Sequence, residues 1–162
     1  MIVAQPTFAL AFSHPAHVIA FGFGAGLAPR APGTVGTLAA WPLGWMMGGL
    51  MPPALFVALM AFFFVVGVWA CAVTGRRLGV GDHPAMVCDE MVAFMLVLAI
   101  VPREIEWQAA AFVLFRLFDI TKPPPIRWFE RLHHGGLGAM FDDVLAAGYT
   151  LLVLALARRF LL

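Results

Sequence analysis

Long runs of apolar residues without charge alternate along the chain with short polar segments, and these runs predict its helices. Residues 53–73 carry no charged side chain over about 21 positions, close to the roughly 20 that a helix needs to cross the hydrocarbon layer. Residues 34–51 form a second uncharged run, which ends at Pro52 and Pro53 because their rings remove amide donors and fix φ. The pattern therefore predicts two membrane spans joined by a very short loop.

Three further apolar stretches have their charges near one end. Residues 85–101 and 137–157 are apolar apart from paired acids near their starts, and residues 107–120 predict a short or tilted span. Residues 17–27 are apolar but rich in glycine, which favours a short packed or interfacial helix. We therefore predict an all-α fold, a polytopic membrane helical bundle with four or five spans and an additional short N-terminal helix, built as a single domain over residues 1–162.

Composition and charge support lipid as the solvent of this fold. Hydrophobic residues make up 62% of the chain and charged residues 12%, against about 45–50% and about 25% in soluble domains. The net charge of +1 is too small for a basic field that recruits nucleic acid. Cys71 and Cys88 lie within apolar runs, so we interpret them as core residues and not as a disulfide framework. We expect membrane lipids, and no nucleic acid, among the partners.

The basic residues favour one orientation in the membrane. If residue 34 begins the first crossing from the cytoplasm and five crossings alternate, about six basic residues face the cytoplasm and about three face the opposite side, a modest positive-inside bias. The cytoplasmic six are Arg30, Arg76, Arg77, Lys122, Arg127 and Arg131. If residues 107–120 formed an interfacial helix instead, everything after them would be inverted. With five crossings, the acids that enter the apolar stretches all meet at the cytoplasmic side.

These acids are the candidate chemistry of the chain: Asp89, Glu90, Asp119, Asp142 and Asp143. A carboxylate in the apolar layer costs about 3 kcal/mol unless a partner, a metal ion or water meets it. Arg116 and Lys122 neutralise only part of this charge, whereas an oxygen-ligated divalent ion such as Mg²⁺ would offset the rest. Each feature alone also has a structural interpretation, because acids favour helix starts and Asp119 could pair with Lys122 three residues on.

Basic and polar residues near these acids are candidates for binding phosphate. Residues 121–128 read Thr-Lys-Pro-Pro-Pro-Ile-Arg-Trp, and the prolines predict a rigid non-helical lip that holds Lys122 and Arg127 near the acids. Arg30 precedes a predicted helix start, where backbone amides and the Thr34 hydroxyl could hold a phosphate. The alternative for Arg30 is a membrane-anchoring role.

The sequence lacks the motifs of other phosphatase classes. Only four residues separate Cys71 from Arg76, whereas the cysteine phosphatases use five, and neither an Asp-any-Asp nucleophile nor a histidine acid-phosphatase pattern occurs. Metal-activated water is therefore the simplest nucleophile. Intramembrane acids also mark ion paths, so a small proton- or ion-coupled transporter stays open as the alternative function. A CDP-alcohol phosphotransferase is disfavoured, because it needs a longer series of spaced aspartates.

Six motifs in the chain form a recognisable set. They read Gly22-Phe-Gly-Ala-Gly-Leu-Ala-Pro29, Pro32-Gly-Thr-Val-Gly36, Asp89-Glu90, Phe115-Arg-Leu-Phe-Asp-Ile-Thr-Lys-Pro123, Pro125-Ile-Arg-Trp-Phe129 and Gly135-Gly-Leu-Gly-Ala-Met-Phe-Asp-Asp143. Their order and spacing closely resemble the phosphatidylglycerophosphatase A family over nearly the whole chain. One departure is Pro124, where the family pattern has an aromatic residue, typically tryptophan.

The resemblance implies an Mg²⁺-dependent lipid phosphatase, a multi-pass protein of the bacterial inner membrane that converts phosphatidylglycerol phosphate to phosphatidylglycerol at a cytoplasmic active site. A homo-oligomer is also compatible with it. We expect the metal ligands to be Asp89, Asp119, Asp142 and Asp143. The expected catalytic residues are Asp89, Glu90, Asp119, Lys122 and Asp143, with Glu90 as the proton acceptor. The expected phosphate-binding residues are Arg30, Thr34, Arg116, Lys122 and Arg127.

Overall fold

Helices account for most of the chain. The computed structural model describes residues 6–132 and 135–161, without the side chains of residues 130–132 and 161. No strand occurs in these described ranges, so the predicted all-α class is confirmed. The helices are α1 (Phe8–Ala11), α2 (Pro15–Ala20), α3 (Pro32–Leu50), α4 (Pro53–Leu78), α5 (Cys88–Leu98), α6 (Ile105–Thr121), α7 (Ile126–Leu132) and α8 (Gly136–Leu161), with a 3₁₀ segment at Gly22–Leu27.

Prolines and glycines set the helix ends. Helices α3 and α4 both begin with a proline, where the missing amide donor costs nothing and the fixed φ suits a helix. Only Met51 and Pro52 separate these two helices, as the sequence predicts. Helix α4 ends at Leu78, and the following Gly79, with a φ of 79°, lets the Val80 amide donate to Gly75 O at 3.0 Å.

Helices α5 and α8 lie at the centre of the bundle. Helix α5 packs against α3, α4 and α8, and α8 also packs against α4, α6 and α7. Phe56, Phe94 and Phe115 are fully buried in the core that these helices share. Cys71 and Cys88 are buried and free, with their Sγ atoms 3.3 Å apart, as predicted for core residues. The starts of α5 and α8 are therefore held in place by helices on several sides.

Two helices of the described chain, α4 and α8, are long and apolar enough to cross a membrane. Helices α5 and α6, with 11 and 17 residues, are shorter than the roughly 20 that a perpendicular span needs. Helix α3 has 19 residues, but five of them are glycine and Pro42 lies in its interior. The predicted run 85–101 contains only α5, because the Met86 amide donates to His83 O in a turn before the helix. Four or five spans are therefore not established by helix length.

Two predicted segments differ from the structure. Residues 17–27 do not form one helix: α2 ends at Ala20, and the 3₁₀ segment is kinked where Phe23 and Gly24 have φ of 56° and 100°. The non-helical lip predicted over 121–128 is confined to residues 122–125. Helix α7 begins at Ile126, because a proline restricts the residue before it and leaves the residues after it free to be helical.

Candidate active site

Three helices bring their carboxylates to one end of the bundle. Asp89 and Glu90 lie in the first turn of α5, and Asp142 and Asp143 lie in the second turn of α8. Helix α6 places Asp119 in its last turn, two residues before Thr121. Because α5 and α8 are in direct contact, their acidic starts face each other within the bundle.

The tightest part of this cluster consists of Asp89, Glu90 and Asp143. One carboxylate oxygen from each lies within 4.8 Å of the others. Asp89 and Asp143 are only 6% and 4% exposed, so water does little to screen their mutual repulsion. Glu90 Oε2 and Asp143 Oδ2 are buried and form no hydrogen bond within the described part of the chain. Such acceptors are costly unless a cation or a donor fills the space between them.

Arg116 of α6 joins two of the helices. Its Nη1 forms an ion pair with Asp119 Oδ2 on the same helix and lies 3.7 Å from Glu90 Oε1 on α5. The side chains of these three residues are no more than 14% exposed. Arg116 Nε is buried and has no hydrogen-bond partner among the described residues.

Lys122 approaches the cluster from the end of α6. Its φ of 43° is left-handed, and its amide donates to Phe118 O at 2.8 Å. Pro123 follows and has no amide hydrogen with which to continue the helix, so α6 ends at Thr121. Its Nζ lies 3.3 Å from Asp142 Oδ2, and its charge also acts on Asp143. The alternative pairing of Asp119 with Lys122 is therefore not observed: Asp119 pairs with Arg116 and Lys122 pairs with Asp142.

Gly33 in the first turn of α3 is a site residue that sequence reasoning did not single out. A Cβ atom built on it would lie 2.2 Å from Glu90 Oε1 and 3.0 Å from Arg116 Nη2. The backbone of α3 can approach this ion pair only because residue 33 has no side chain. A glycine inside a helix is normally unfavourable, and its place in the Pro32-to-Gly36 motif is the signal that could have identified it.

The remaining predicted phosphate-binding residues lie at the edge of the cluster. Arg30 is exposed and forms no hydrogen bond or ion pair with any described residue. Thr34 follows Gly33 in the first turn of α3 and is half-buried. Arg127 donates from Nη2 to Thr121 O at 3.2 Å, so it braces the loop after α6 and forms no ion pair with the five acids.

Comparison with known proteins gives the family. The family model described as phosphatidylglycerophosphatase A matches residues 18–158. The chain is 43% identical to a phosphatidylglycerophosphatase A of Escherichia coli K12 over 138 residues, covering 85% of this chain and 80% of that protein. The chain belongs to the phosphatidylglycerophosphatase A family. The resemblance seen in its motifs is thereby confirmed.

Two other relatives extend the picture of the phosphatidylglycerophosphatase A family. A phosphatidylglycerophosphatase A of Haemophilus influenzae is 43% identical over 150 residues, which cover 92% of each chain. A Bacteroides thetaiotaomicron protein, whose name proposes a phosphatidylinositol-3-phosphatase, is 39% identical over 148 residues, covering 87% of this chain and 92% of that protein. No solved structure matches the chain.

In this member of the phosphatidylglycerophosphatase A family, the central donor set suits a hard divalent cation. Three carboxylates within 4.8 Å of one another offer only oxygen ligands. The buried acceptors Glu90 Oε2 and Asp143 Oδ2, which have no hydrogen-bond partner in the described chain, are oxygens that a cation could engage. Glu90 belongs to this group, while the predicted ligands Asp119 and Asp142 each form an ion pair through one oxygen, with Arg116 and Lys122. Which of these acids bind the ion stays a prediction.

Proposed function

We propose that this protein hydrolyses the phosphate monoester of phosphatidylglycerol phosphate at the acid cluster, producing phosphatidylglycerol and inorganic phosphate. Family membership supports the activity and the lipid substrate. The observation that carries the choice of site is the convergence of Asp89, Glu90 and Asp143 within 4.8 Å, with Arg116 and Lys122 beside them. Carboxylates that could bind a cation thus lie next to basic side chains that could bind a phosphate, as phosphoryl transfer requires.

The proposed cofactor is Mg²⁺, held by Asp89, Glu90 and Asp143. When bound, Mg²⁺ supplies positive charge to the phosphate oxygens and makes a water molecule more acidic. Arg116, whose guanidinium is held by its ion pair with Asp119, stabilises the charge on the equatorial phosphate oxygens. Lys122, oriented by Asp142, adds a second positive charge at the rim. The Glu90 carboxylate oxygen that does not hold the ion would accept the proton of the attacking water.

The proposed setting is the bacterial inner membrane, crossed four or five times, with the acid cluster at the cytoplasmic side. Large apolar side chains are exposed along four helices, which supports contact with lipid around the bundle. They include Leu38, Trp45, Phe62, Val65, Val113, Leu117, Leu152 and Leu156. Helix α5 is short, but its neighbours α3, α4 and α8 shield it. A homo-oligomer stays a prediction.

The transporter alternative is not favoured. An ion path needs acids or other polar groups spread through the depth of the membrane. The buried carboxylates of the described chain gather instead at the ends of α5, α6 and α8 that lie together. Relatives that cover most of the chain carry the phosphatase name.

Phosphate release by the purified protein tests the proposed function. We expect release from phosphatidylglycerol phosphate in detergent micelles when Mg²⁺ is present, loss of release after chelation, and recovery when Mg²⁺ is restored. Phosphatidylinositol 3-phosphate serves as a second lipid monoester and tests the headgroup. No release from phosphatidylglycerol phosphate by a folded preparation would contradict the activity, and release that survives chelation would contradict the role of the metal ion.

A further inference from the structure

An apolar groove lies on the surface of the bundle between α4, α5 and α8. Its volume is about 490 Å³, within the range of about 300–1,000 Å³ typical of sites that hold small ligands. Every side chain that lines it is apolar. They include Ala61, Phe64 and Val65 of α4, Val92 and Leu96 of α5, and Val144 of α8.

The residues that line the groove closely follow the acids along α5 and α8. On α5, Val92 and Leu96 lie three and seven positions after Asp89, a spacing that puts all three residues on one side of the helix. On α8, Val144 directly follows Asp143. From there the groove extends along α4 from Val65 to Val57, a helical distance of about 12 Å. A molecule with its phosphate at the acids could therefore continue into the groove with an apolar tail.

We propose that this groove binds one acyl chain of the lipid substrate and so sets the position of its phosphate at the acid cluster. The proposal rests on the proposed function, because the substrate there is a phospholipid. A lipid has both an anionic end and apolar chains, and the acids of α5 and α8 are followed along the same helices by residues that line the apolar groove. An acyl chain held in the groove, away from water and bulk lipid, would orient the lipid headgroup before the reaction.

A second, smaller groove of about 160 Å³ offers a control. It is lined by Val101, Trp107, Leu154 and Ala155 together with Arg158, near the other end of α8. Ala155 lies twelve positions after Asp143, a helical distance of about 18 Å. Ala61 and Ala155 are both exposed alanines on long helices, so the same substitution at each position introduces the same bulk at different distances from the acids.

Kinetics with two substrates test the groove. Ala61→Phe fills it, and we expect KM for long-chain phosphatidylglycerol phosphate to rise about tenfold, the effect of excluding one or two methylene groups from an apolar site. KM for a short-chain analogue too short to reach Ala61 should stay unchanged. Ala155→Phe should leave both values as in the unsubstituted protein. Equal losses on both substrates, or no change on the long-chain one, would overturn the proposal.

A crosslinking measurement tests acyl-chain binding in the groove independently of phosphatase activity. Phosphatidylglycerol with a photoreactive diazirine in the middle of one acyl chain should label residues 57–65 and 92–96 in preference to other lipid-facing positions, and Ala61→Phe should remove this preference. Even labelling along α4, α6 and α8 would contradict the groove whether or not the protein releases phosphate. Groove-specific labelling by a preparation inactive on phosphatidylglycerol phosphate would instead count against the proposed function alone.

Discussion

Helices α4 and α8 each have 26 residues, and each carries two arginines in its last turn. Helix α4 contains no acid, and its buried polar side chain is Thr74, whose hydroxyl lies 2.8 Å from His17 Nδ1. Helix α8 contains Asp142 and Asp143, and both are 4% exposed. Two helices of the same length in one bundle therefore bury very different groups.

This difference in buried groups distinguishes residues that stabilise the fold from residues that serve the proposed reaction. Helix α4 shows that a long helix fits into this bundle with apolar contacts and one satisfied hydroxyl. A buried carboxylate costs several kcal/mol unless it is paired, so α8 is less stable than it would be with neutral residues at these positions. We therefore attribute the acids of α8 to the cation site and the phosphate ester hydrolysis proposed above, and the following substitutions test this contrast.

The largest effect is expected at Asp143. Asp143→Asn removes one of the three carboxylates of Asp89, Glu90 and Asp143 that are proposed to hold the metal ion. Phosphate release should therefore fall by at least about a hundredfold. The midpoint of thermal unfolding in detergent should stay equal or rise, because a neutral amide relieves the repulsion among the buried acids. Activity within twofold of the unsubstituted protein would contradict the role of Asp143.

A smaller effect is expected when Asp142 of α8 loses a cationic partner. Lys122→Met should lower the free energy of unfolding by about 2 kcal/mol, less than for a fully buried pair because Lys122 is 24% exposed. Asp142→Asn added to Lys122→Met should restore the stability but not the phosphatase activity. Chemical denaturation and phosphate release measure the two effects, and recovery of both together would show that the pair has only a structural role.

Gly33 on α3 tests how closely the backbone must approach the site. Gly33→Ala forces Glu90 and Arg116 to move, and we expect kcat to fall about tenfold while the helix content stays the same. Gly48→Ala on the same helix is the control, because its Cβ would meet only Phe56, at 3.9 Å. Equal activities of the two variants would show that the contact of Gly33 with Glu90 does not position the catalytic groups.

The smallest effect is expected on α4. Burial, with the charges of His14 and Arg77 acting in the same direction, lowers the pKa of His17, so at neutral pH its contact with Thr74 is an ordinary neutral hydrogen bond. Thr74→Val should therefore lower the free energy of unfolding by about 1 kcal/mol and leave phosphate release unchanged. A loss of activity like that of Asp143→Asn would remove the distinction between the two helices.

Local patterns were enough to predict much of the fold. Apolar runs and proline positions place α3, α4 and α8, because these signals act through neighbouring residues alone. The length of α5 was overestimated, since the residues of the turn that precedes it are as apolar as those of the helix. Helix α7 was missed because the three prolines before it suggested a longer non-helical segment.

Sequence reasoning identified most of the residues of the candidate site, but not which acidic residue forms an ion pair with which basic residue. Acids near helix ends can be read from the sequence, and topology then brings them together. Which acid meets which base depends on how each helix is rotated and where it ends. Lys122 reaches Asp142 because α6 ends at Thr121 and the backbone of Lys122 has a left-handed conformation. Neither feature follows from residue spacing. The approach of Gly33 to Glu90 likewise depends on the packing of α3 against α5.

Binding of Mn²⁺ measured by electron paramagnetic resonance tests the central claim most directly, because Mn²⁺ prefers the same oxygen ligands as Mg²⁺ and the signal does not depend on turnover. The purified protein and Gly48→Ala should bind Mn²⁺ in a way that Mg²⁺ reverses, and Asp89→Asn and Asp143→Asn should each lose that binding while staying folded. Unchanged Mn²⁺ affinity in both asparagine variants would show that the carboxylates of α5 and α8 do not form a metal site.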